Sequence, residues 1–386
     1  MGWIRKLRKQ KKWIFADVID GSTMKHLQMV INTEKCENNL PSSGCAIEVT
    51  GKLVPSNHPL QKVELQAESM KVVGPCDVLR NHFVQIHTPV ISSNDCENAG
   101  DAFTVQMPES DEQNVESAAK DFFGTPTYLS VSGQLHLEAV VSGLSRVYSF
   151  NPAFRAENGI TRRHLSEFYM IEAELAFLEN LNQLMNVMED MVKSVFTDVL
   201  ESCSEYLKIH QSESHYELLK KVLSTPFIRL TYSEAFDILL KHKDKLSKEP
   251  IKESGELNRE QEILLVDIHN QVPVFVTDYP SHNKPFYMKA CEENPNNVKS
   301  VDLLAPYVGE LCGGSLRETS ITLLEEALHK AGQSHQLKWY IDLRKYGDAP
   351  HAGFGAGFER LLLLITGLEN IRDVMPFPRW AHNCKL

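Results

Sequence analysis

Along the first seventy residues, apolar and polar positions alternate in short runs broken by turns. "WIFADVID" (13–20), "LQMVI" (27–31), "CAIEVTGKLV" (45–54) and "KVELQAESMKVV" (62–73) are rich in β-branched and aromatic residues, and "DGST" (20–23) punctuates them. Strands this short and this closely spaced predict a small β-barrel over residues 1–74. "GPCD" (74–77) reads as a linker, and "FVQIHTPVI" (83–91) as the next strand. The polar, acidic stretch 108–120 reads as an exposed loop, whereas "TYLSV", "RVYSF" and "EFYMIEAELAF" read as further strands. From about 180 to 207 the period changes to that of a helix. Leu181, Leu184, Met185, Met188, Val192, Val195, Phe196 and Val199 share one face, and the stripe is read as core packing. A second helix is predicted over 233–246. "QVPVFVTDYP" and "SVDLLAPYV" return to strand, and "SLRETSITLLEEALHKAG" (315–332) predicts a helix closed by Gly332. Strands and helices without a βαβ rhythm indicate an α+β chain with an antiparallel sheet flanked by helices.

Length and charge refine this picture. A chain of 386 residues exceeds one ordinary core, so two domains are expected, 1–74 and 75–386. No window offers the roughly 18 uncharged apolar residues that a membrane helix needs. The eight cysteines form no CxxC pair and read as reduced intracellular thiols. A net charge of -11 argues against non-specific nucleic-acid coating, yet residues 1–12 carry six basic residues and no acid. That segment is either the edge of a targeting sequence or a basic strand facing phosphates. It lacks the serines of a mitochondrial presequence and an apolar stretch after it, so the phosphate-facing strand is favoured. A barrel opening on such a strand suits single-stranded nucleic acid, the alternative being a purely structural β domain.

The chemistry concentrates in three islands. In "PHAGFGAGFERLLLLITG" (350–367) the glycines match neither a G-x-G-x-x-G fingerprint nor a P-loop. They are expected to let a flat ligand approach bare backbone, Gly357 included. Arg360 falls in the first turn of the leucine-rich helix, where anions are favoured. It can hold a terminal phosphate there, or simply snorkel at a helix start. The second island, "FRAENGITRRHLSEFYMIEAEL" (154–175), favours the phosphate. Alternation on a strand would send Arg155 and Glu157 to one face: Arg155 for an α-phosphate and the group transferred, Glu157 for an adenine amino group. Phe168 offers a stacking ring, and Arg162, Arg163 and His164 suit outer phosphates. In the third island, "VDLLAPYVGELCGGSLRE" (301–318), Asp302 and Glu310 could hold Mg²⁺ on the nucleotide, and Arg317 could reach a substrate oxygen.

These islands, in this order, resemble the motifs of class II aminoacyl-tRNA synthetases, in the aspartyl, asparaginyl and lysyl subgroup with an N-terminal OB barrel. "HTPVISSNDCENAGDAF", "LSVSGQLHLE", "FYMK", "GELCGGSLRE" and "GFGAGFERLLLLITGLENIRDVMPFPR" are similar to asparaginyl-tRNA synthetases of bacterial and mitochondrial form, and the resemblance covers nearly the whole chain. It implies activation of L-asparagine by ATP to asparaginyl-adenylate, then transfer to tRNA(Asn), with Arg155 and Arg360 as the catalytic cations and Mg²⁺ as cofactor. It implies an amino-acid pocket of Glu97, which would hold the α-ammonium, with Ser132, Gln134, Glu138 and Arg317. Leu137 stands where aspartyl enzymes carry a lysine, so Arg317 would donate to the amide oxygen and Glu138 accept from its nitrogen. Phe15 matches a family position that stacks an anticodon base, and Gln28 one that contacts it. A homodimer in the mitochondrial matrix is implied, or the cytoplasm for a bacterial chain, with no targeting segment in this sequence and no membrane partner.

The chain departs from that pattern at residues 75–82. The family places several tens of residues there, including the long motif 1 helix of the dimer interface, and the first barrel strand also reads as clipped. The expectation is a splice form or a gene model missing an exon, with impaired dimerisation and weak activity. Asn98 replaces a usual glycine, and "FYMKACEENP" lacks an Asp-Gly turn. Three further readings stand beside the ligase: a non-charging product that binds ATP or tRNA, an aspartyl enzyme of relaxed specificity, and an ammonia-dependent asparagine synthetase. The last has no need of the barrel.

Overall fold

The structure is a computed structural model that describes residues 2–19, 27–36, 41, 46–56, 62–74, 83–94, 102–106, 122–159, 161–247, 255–334, 336–347 and 349–385. The chain divides into two compact units, Met1–Phe83 and Val84–Leu386.

In the first unit β1 (Gly2–Gln10), β2 (Trp13–Ile19), β3 (Leu27–Asn32), β4 (Ala46–Pro55) and β5 (Val63–Gly74) close into a barrel of order β1-β2-β3-β5-β4. Alternation fills its interior with Ile4, Ile14, Ala16, Met29, Ile31, Ile47 and Met70. The intervening positions face outward. Phe15 opposes Val30 and Asp17 opposes Gln28, which makes Phe15 and Gln28 diagonal neighbours on the outer surface. The Arg8 guanidinium lies 5.1 Å from the Phe15 ring centre.

The second unit opens with three two-residue strands, β6 (Val84–Gln85), β7 (Ile91–Ser92) and β8 (Tyr128–Leu129), followed by α1 (Gln134–Leu144). The long hairpin β9 (Arg146–Phe154) and β10 (Glu167–Ala176) comes next. Then follow α2 (Leu181–Ser202), α3 (Ser204–His210), α4 (Glu213–Ser224), β11 (Ile228–Thr231), α5 (Tyr232–Lys241) and α6 (Arg259–Ile268). The unit closes with β12 (Val274–Thr277), β13 (Ser300–Ala305), β14 (Gly309–Leu316), α7 (Ile321–Lys330), α8 (Lys338–Lys345), β15 (His351–Gly357) and α9 (Phe358–Thr366). One eight-stranded sheet runs β11-β12-β13-β14-β15-β10-β9-β6. Its interior is antiparallel throughout; only the edge pairs β11/β12 and β6/β9 are parallel.

Local chemistry sets the helix limits. Asn180 with Gln183, Thr231 with Glu234 and Asn258 with Gln261 form reciprocal capping boxes on α2, α5 and α6. Gly367, at φ 71°, takes the left-handed turn that ends α9. The stripe on α2 buries Leu181, Leu184, Met185, Met188, Val192 and Phe196 as core, while Val195 and Val199 stay half-buried. The helix expected over 180–207 breaks at Cys203. The one expected over 315–332 shrinks to α7, because Ser315 and Leu316 extend β14 and Ser320 caps the helix. "FVQIHTPVI" keeps only Val84–Gln85 and the start of β7, since Pro89 offers no N–H for a ladder. Residues 75–82 and 108–120 lie outside the described residues.

On the side of β9 and β10 away from Ser149 and Glu172, Phe150 and Tyr169 are each 38% exposed. Their rings lie 5.1 Å apart, with Phe358 5.2 Å from Phe150.

Candidate active site

The floor of the site is the antiparallel trio β10, β15 and β14. Register places Glu174 opposite Gly353, Glu172 opposite Gly355 and Met170 opposite Gly357, while Gly313 and Ser315 face Gly355 and Gly353 across β14. A Cβ at Gly353 would overlap the Glu174 carboxylate, and one at Gly355 would come within 2.9 Å of Met170 Cε. The glycine ladder therefore makes room first for side chains of β10. This corrects the expectation that it serves only ligand approach. At Gly357 a Cβ would meet nothing nearer than the Arg360 side chain at 3.7 Å, so that glycine is open to a ligand.

The charged pair at the start of α9 divides its labour. Glu359 is buried and accepts the Tyr169 N–H at 3.1 and 3.2 Å, tying the helix start to β10; burial lifts its carboxyl above the usual range. Arg360 turns to the surface of a cavity of about 500 Å³, where its Nη1 donates to the Glu310 carbonyl at 2.7 Å and sits 3.3 Å from that carboxylate.

Arg155, Glu157 and Phe168 line the same cavity. Strand alternation is not what places the first two, since β9 ends at Phe154; they follow it in the connecting loop. The Arg155 guanidinium lies 5.7 Å from the Phe168 ring centre and 4.0 Å from Glu157. His164 and Arg163 complete the outer rim. His164 stands 3.7 Å from Glu157, over Gly159, where a side chain would strike its ring. Arg163 donates to the Val308 and Tyr307 carbonyls at 3.1 and 2.9 Å. Arg162 does not join them: its exposed side chain reaches Glu369 at 3.9 Å.

Beside this cavity lies a buried ionic cluster. Glu138, fully buried on α1, accepts from Tyr340 Oη, from Arg344 Nη2 at 2.9 Å, from His351 Nε2 at 3.1 Å and from Gln134 Nε2 at 3.0 Å. Burial opposes its ionisation, but the His351 hydrogen bond and the Arg344 and Arg317 charges outweigh that and hold its carboxyl far below the usual range. Arg317, just past β14, donates to Glu174 and to Ser315 Oγ at 2.8 Å, and its Nε lies 3.8 Å from Glu138 Oε1. Burial lifts Glu174 to about 7, against Arg317 and with the help of the Glu138 charge. Ser132 donates to the buried Glu172, which also accepts the Gly133 N–H at 2.8 Å. An anionic acceptor and a guanidinium donor, held side by side and dry, match the two ends of a carboxamide.

Asp302 and Glu310 sit on β13 and β14. A Cβ at Gly313 would meet Glu310 Oε1 at 3.0 Å and Asp302 Oδ1 at 3.3 Å, so the two carboxylates converge over one bare backbone position. Burial pushes Asp302 up to about 6; Lys284, 3.7 Å away, opposes this and Glu310 adds to it. Two acids held together above a gap fit a cation carried in by a nucleotide, although each is ion-paired here, to Lys284 and Arg360. Among the described residues no cluster of three or more potential metal ligands occurs. Glu97 lies outside the described residues, and Phe15 and Gln28 belong to the barrel.

Sequence reasoning missed Glu172, Glu174, Tyr340, Arg344 and His351. The two glutamates carried a signal: acids at i and i+2 on one face of an otherwise apolar strand.

The family described as "tRNA synthetases class II (D, K and N)" matches residues 61–381, and "OB-fold nucleic acid binding domain" matches residues 1–73. The chain is 41% identical to the asparaginyl-tRNA synthetase of Mus musculus over 436 residues, covering 100% of this chain and 90% of the relative. It is 37% identical to a Dictyostelium discoideum protein named "Probable asparagine–tRNA ligase, mitochondrial", covering 100% and 93%. The crystal structure of asparaginyl-tRNA synthetase from Pyrococcus horikoshii complexed with asparaginyl-adenylate superposes with a TM-score of 0.70 at 26% identity, covering 99% of this chain and 94% of that one. The chain belongs to the class II tRNA synthetases of the D, K and N group, with an N-terminal OB-fold domain.

Proposed function

We propose that this chain is an asparagine–tRNA ligase that activates L-asparagine with ATP and passes the asparaginyl group to tRNA(Asn). The observation that carries the reading is the buried pairing of Glu138 Oε1 with the Arg317 guanidinium at one end of the β10-β15-β14 floor, whose Met170, Gly355 and Gly357 line the cavity of Arg155 and Arg360. The asparagine carboxylate attacks the α-phosphorus in line and pyrophosphate leaves. No side chain serves as nucleophile. Arg155 neutralises charge at the α-phosphate and at the attacking carboxylate, while Arg163, His164 and Arg360 hold the outer phosphates. Phe168 stacks on the adenine and Glu157 accepts from its amino group. Asp302 and Glu310 are the residues that would hold Mg²⁺, which would offset charge on the phosphates.

Within the pocket, Ser132, Gln134 and Glu97 are assigned to the amino acid. The barrel, 1–74, is assigned to anticodon reading through Phe15 and Gln28, and residues 75–386 to catalysis. The Dictyostelium relative supports a mitochondrial setting. Asparagine-dependent exchange of pyrophosphate into ATP tests the reading: exchange with asparagine at least a hundredfold above aspartate is expected, and a chain that exchanges with neither, or equally with both, overturns it.

A second reading is favoured by one observation. Only eight residues, 75–82, separate β5 from Phe83, and the mouse alignment spans 436 residues against 386 here. A chain without the interface helix would leave Phe150, Tyr169 and Phe358 uncovered, bind ATP or tRNA, and charge poorly. Sedimentation of the chain, and of a form with the helix restored, decides whether the family homodimer survives.

A further inference from the structure

Arg259, the first residue of α6, lines the same cavity as Arg163 and Arg360 and has no part in the reading above. Its Nη2 donates to the Tyr307 carbonyl oxygen at 2.9 Å, and Arg163 Nη2 donates to that same oxygen at 2.9 Å. One carbonyl thus tethers two guanidinium groups side by side, while Arg360 contributes a third, anchored on the Glu310 carbonyl.

The arrangement works against itself electrostatically. Burial pushes Arg163 down to about 10, and the charges of Arg259 and Arg360 add to the fall. Arg259 is lowered by burial and by Arg360, with Glu262 opposing. Its place in the sequence is equally unfavourable. The capping box of Asn258 and Gln261 fixes Arg259 at the first helical position, the end where the helix dipole disfavours a cation. Helix start, burial and the neighbouring Arg360 all oppose this charge, and an anion lying among the three groups would offset them.

We infer that Arg259 is a phosphate-binding residue, which joins Arg163 and Arg360 in holding the outer phosphates of ATP in the forward reaction and pyrophosphate in the reverse. The inference rests on the reading of the cavity as an ATP site. A structural role is the competing account: Arg259 could merely brace the turn at Tyr307, where φ is 62°.

AMP separates the two, because it carries the adenine, the ribose and the α-phosphate but no outer phosphate. In the full chain, Arg259→Gln is expected to raise KM for ATP and for pyrophosphate about ten- to a hundredfold. Inhibition by AMP and KM for asparagine should stay where they are, and Arg259→Lys should recover part of the loss. Unchanged KM for ATP and pyrophosphate in Arg259→Gln overturns the inference, as does an equal weakening of AMP and ATP. Arg360→Gln is the control. Weakened ATP binding there, with none at Arg259, removes this inference alone; a parent chain that binds no ATP removes the reading of the cavity.

Discussion

Glu138→Gln keeps the shape of the proposed amino-acid pocket and removes its anion. In the folded chain that carboxylate is fully buried and answers Arg344, His351, Tyr340 and Gln134, with the Arg317 Nε 3.8 Å from Oε1. Two effects follow. The first is structural: uncoupling a buried ion pair costs about 3–5 kcal/mol, roughly 10 °C of melting temperature for a unit of this size. The second is chemical. A hydrogen bond from the asparagine amide to an ionised acceptor contributes about 1.5–3 kcal/mol, so kcat/KM for asparagine should fall about ten- to a hundredfold. Aspartate, previously repelled by Glu138, should gain at least about tenfold. The ratio of asparagine to aspartate exchange should therefore drop by roughly two to three orders of magnitude, with KM for ATP little changed. Pyrophosphate exchange with each amino acid, beside a melting curve, reads all three numbers. Should the folded variant keep its preference for asparagine within tenfold of the parent, Glu138 is not the amide acceptor, and the pocket argument fails with it.

Arg155→Ala should cut asparagine-dependent exchange by about a hundredfold or more in kcat, and undiminished exchange would strip Arg155 of its role. Glu174 gives a pH test: burial raises it to about 7 in the folded chain, from an ordinary 4.5, so its contribution favours folding below about pH 4.5 and is lost as the pH climbs through 7. Relative to Glu174→Gln, the parent should lose up to a few kcal/mol over that window in parallel denaturation curves, and curves that keep a constant separation would contradict the assignment. Phe15→Ala should raise KM for tRNA about tenfold and leave pyrophosphate exchange untouched, which filter-bound aminoacylation can report; equal loss in both assays would count against anticodon stacking.

What the sequence disclosed depended on how far apart the partners lie. The barrel was legible because its interior repeats every second residue, as at Ile14, Ala16, Met29 and Ile31. The core stripe of α2 was legible by the same kind of local count. Arg155, Arg163, His164, Phe168 and Arg360 could be picked out as charged or aromatic residues interrupting otherwise regular elements. The cluster around Glu138 could not. It joins α1 to residues of α8 and β15 some two hundred positions later, and no local period connects Glu138 with Tyr340, Arg344 or His351. The end of β9 was misplaced by three residues, at Glu157 instead of Phe154, for a related reason: alternation predicts a direction for Arg155 and Glu157, but not where the ladder with β10 stops.

The close fit of Gly353 against Glu174 also constrains how this floor could change over generations. Any larger residue at 353 is tolerable only if position 174 shortens at once, and a shorter residue there takes from Arg317 one of its two carboxylate partners. Neither position can drift alone; they should vary together or stay fixed, so a lineage that altered one would have to pass through a chain that is either overpacked at 353 or short of a carboxylate beside Arg317.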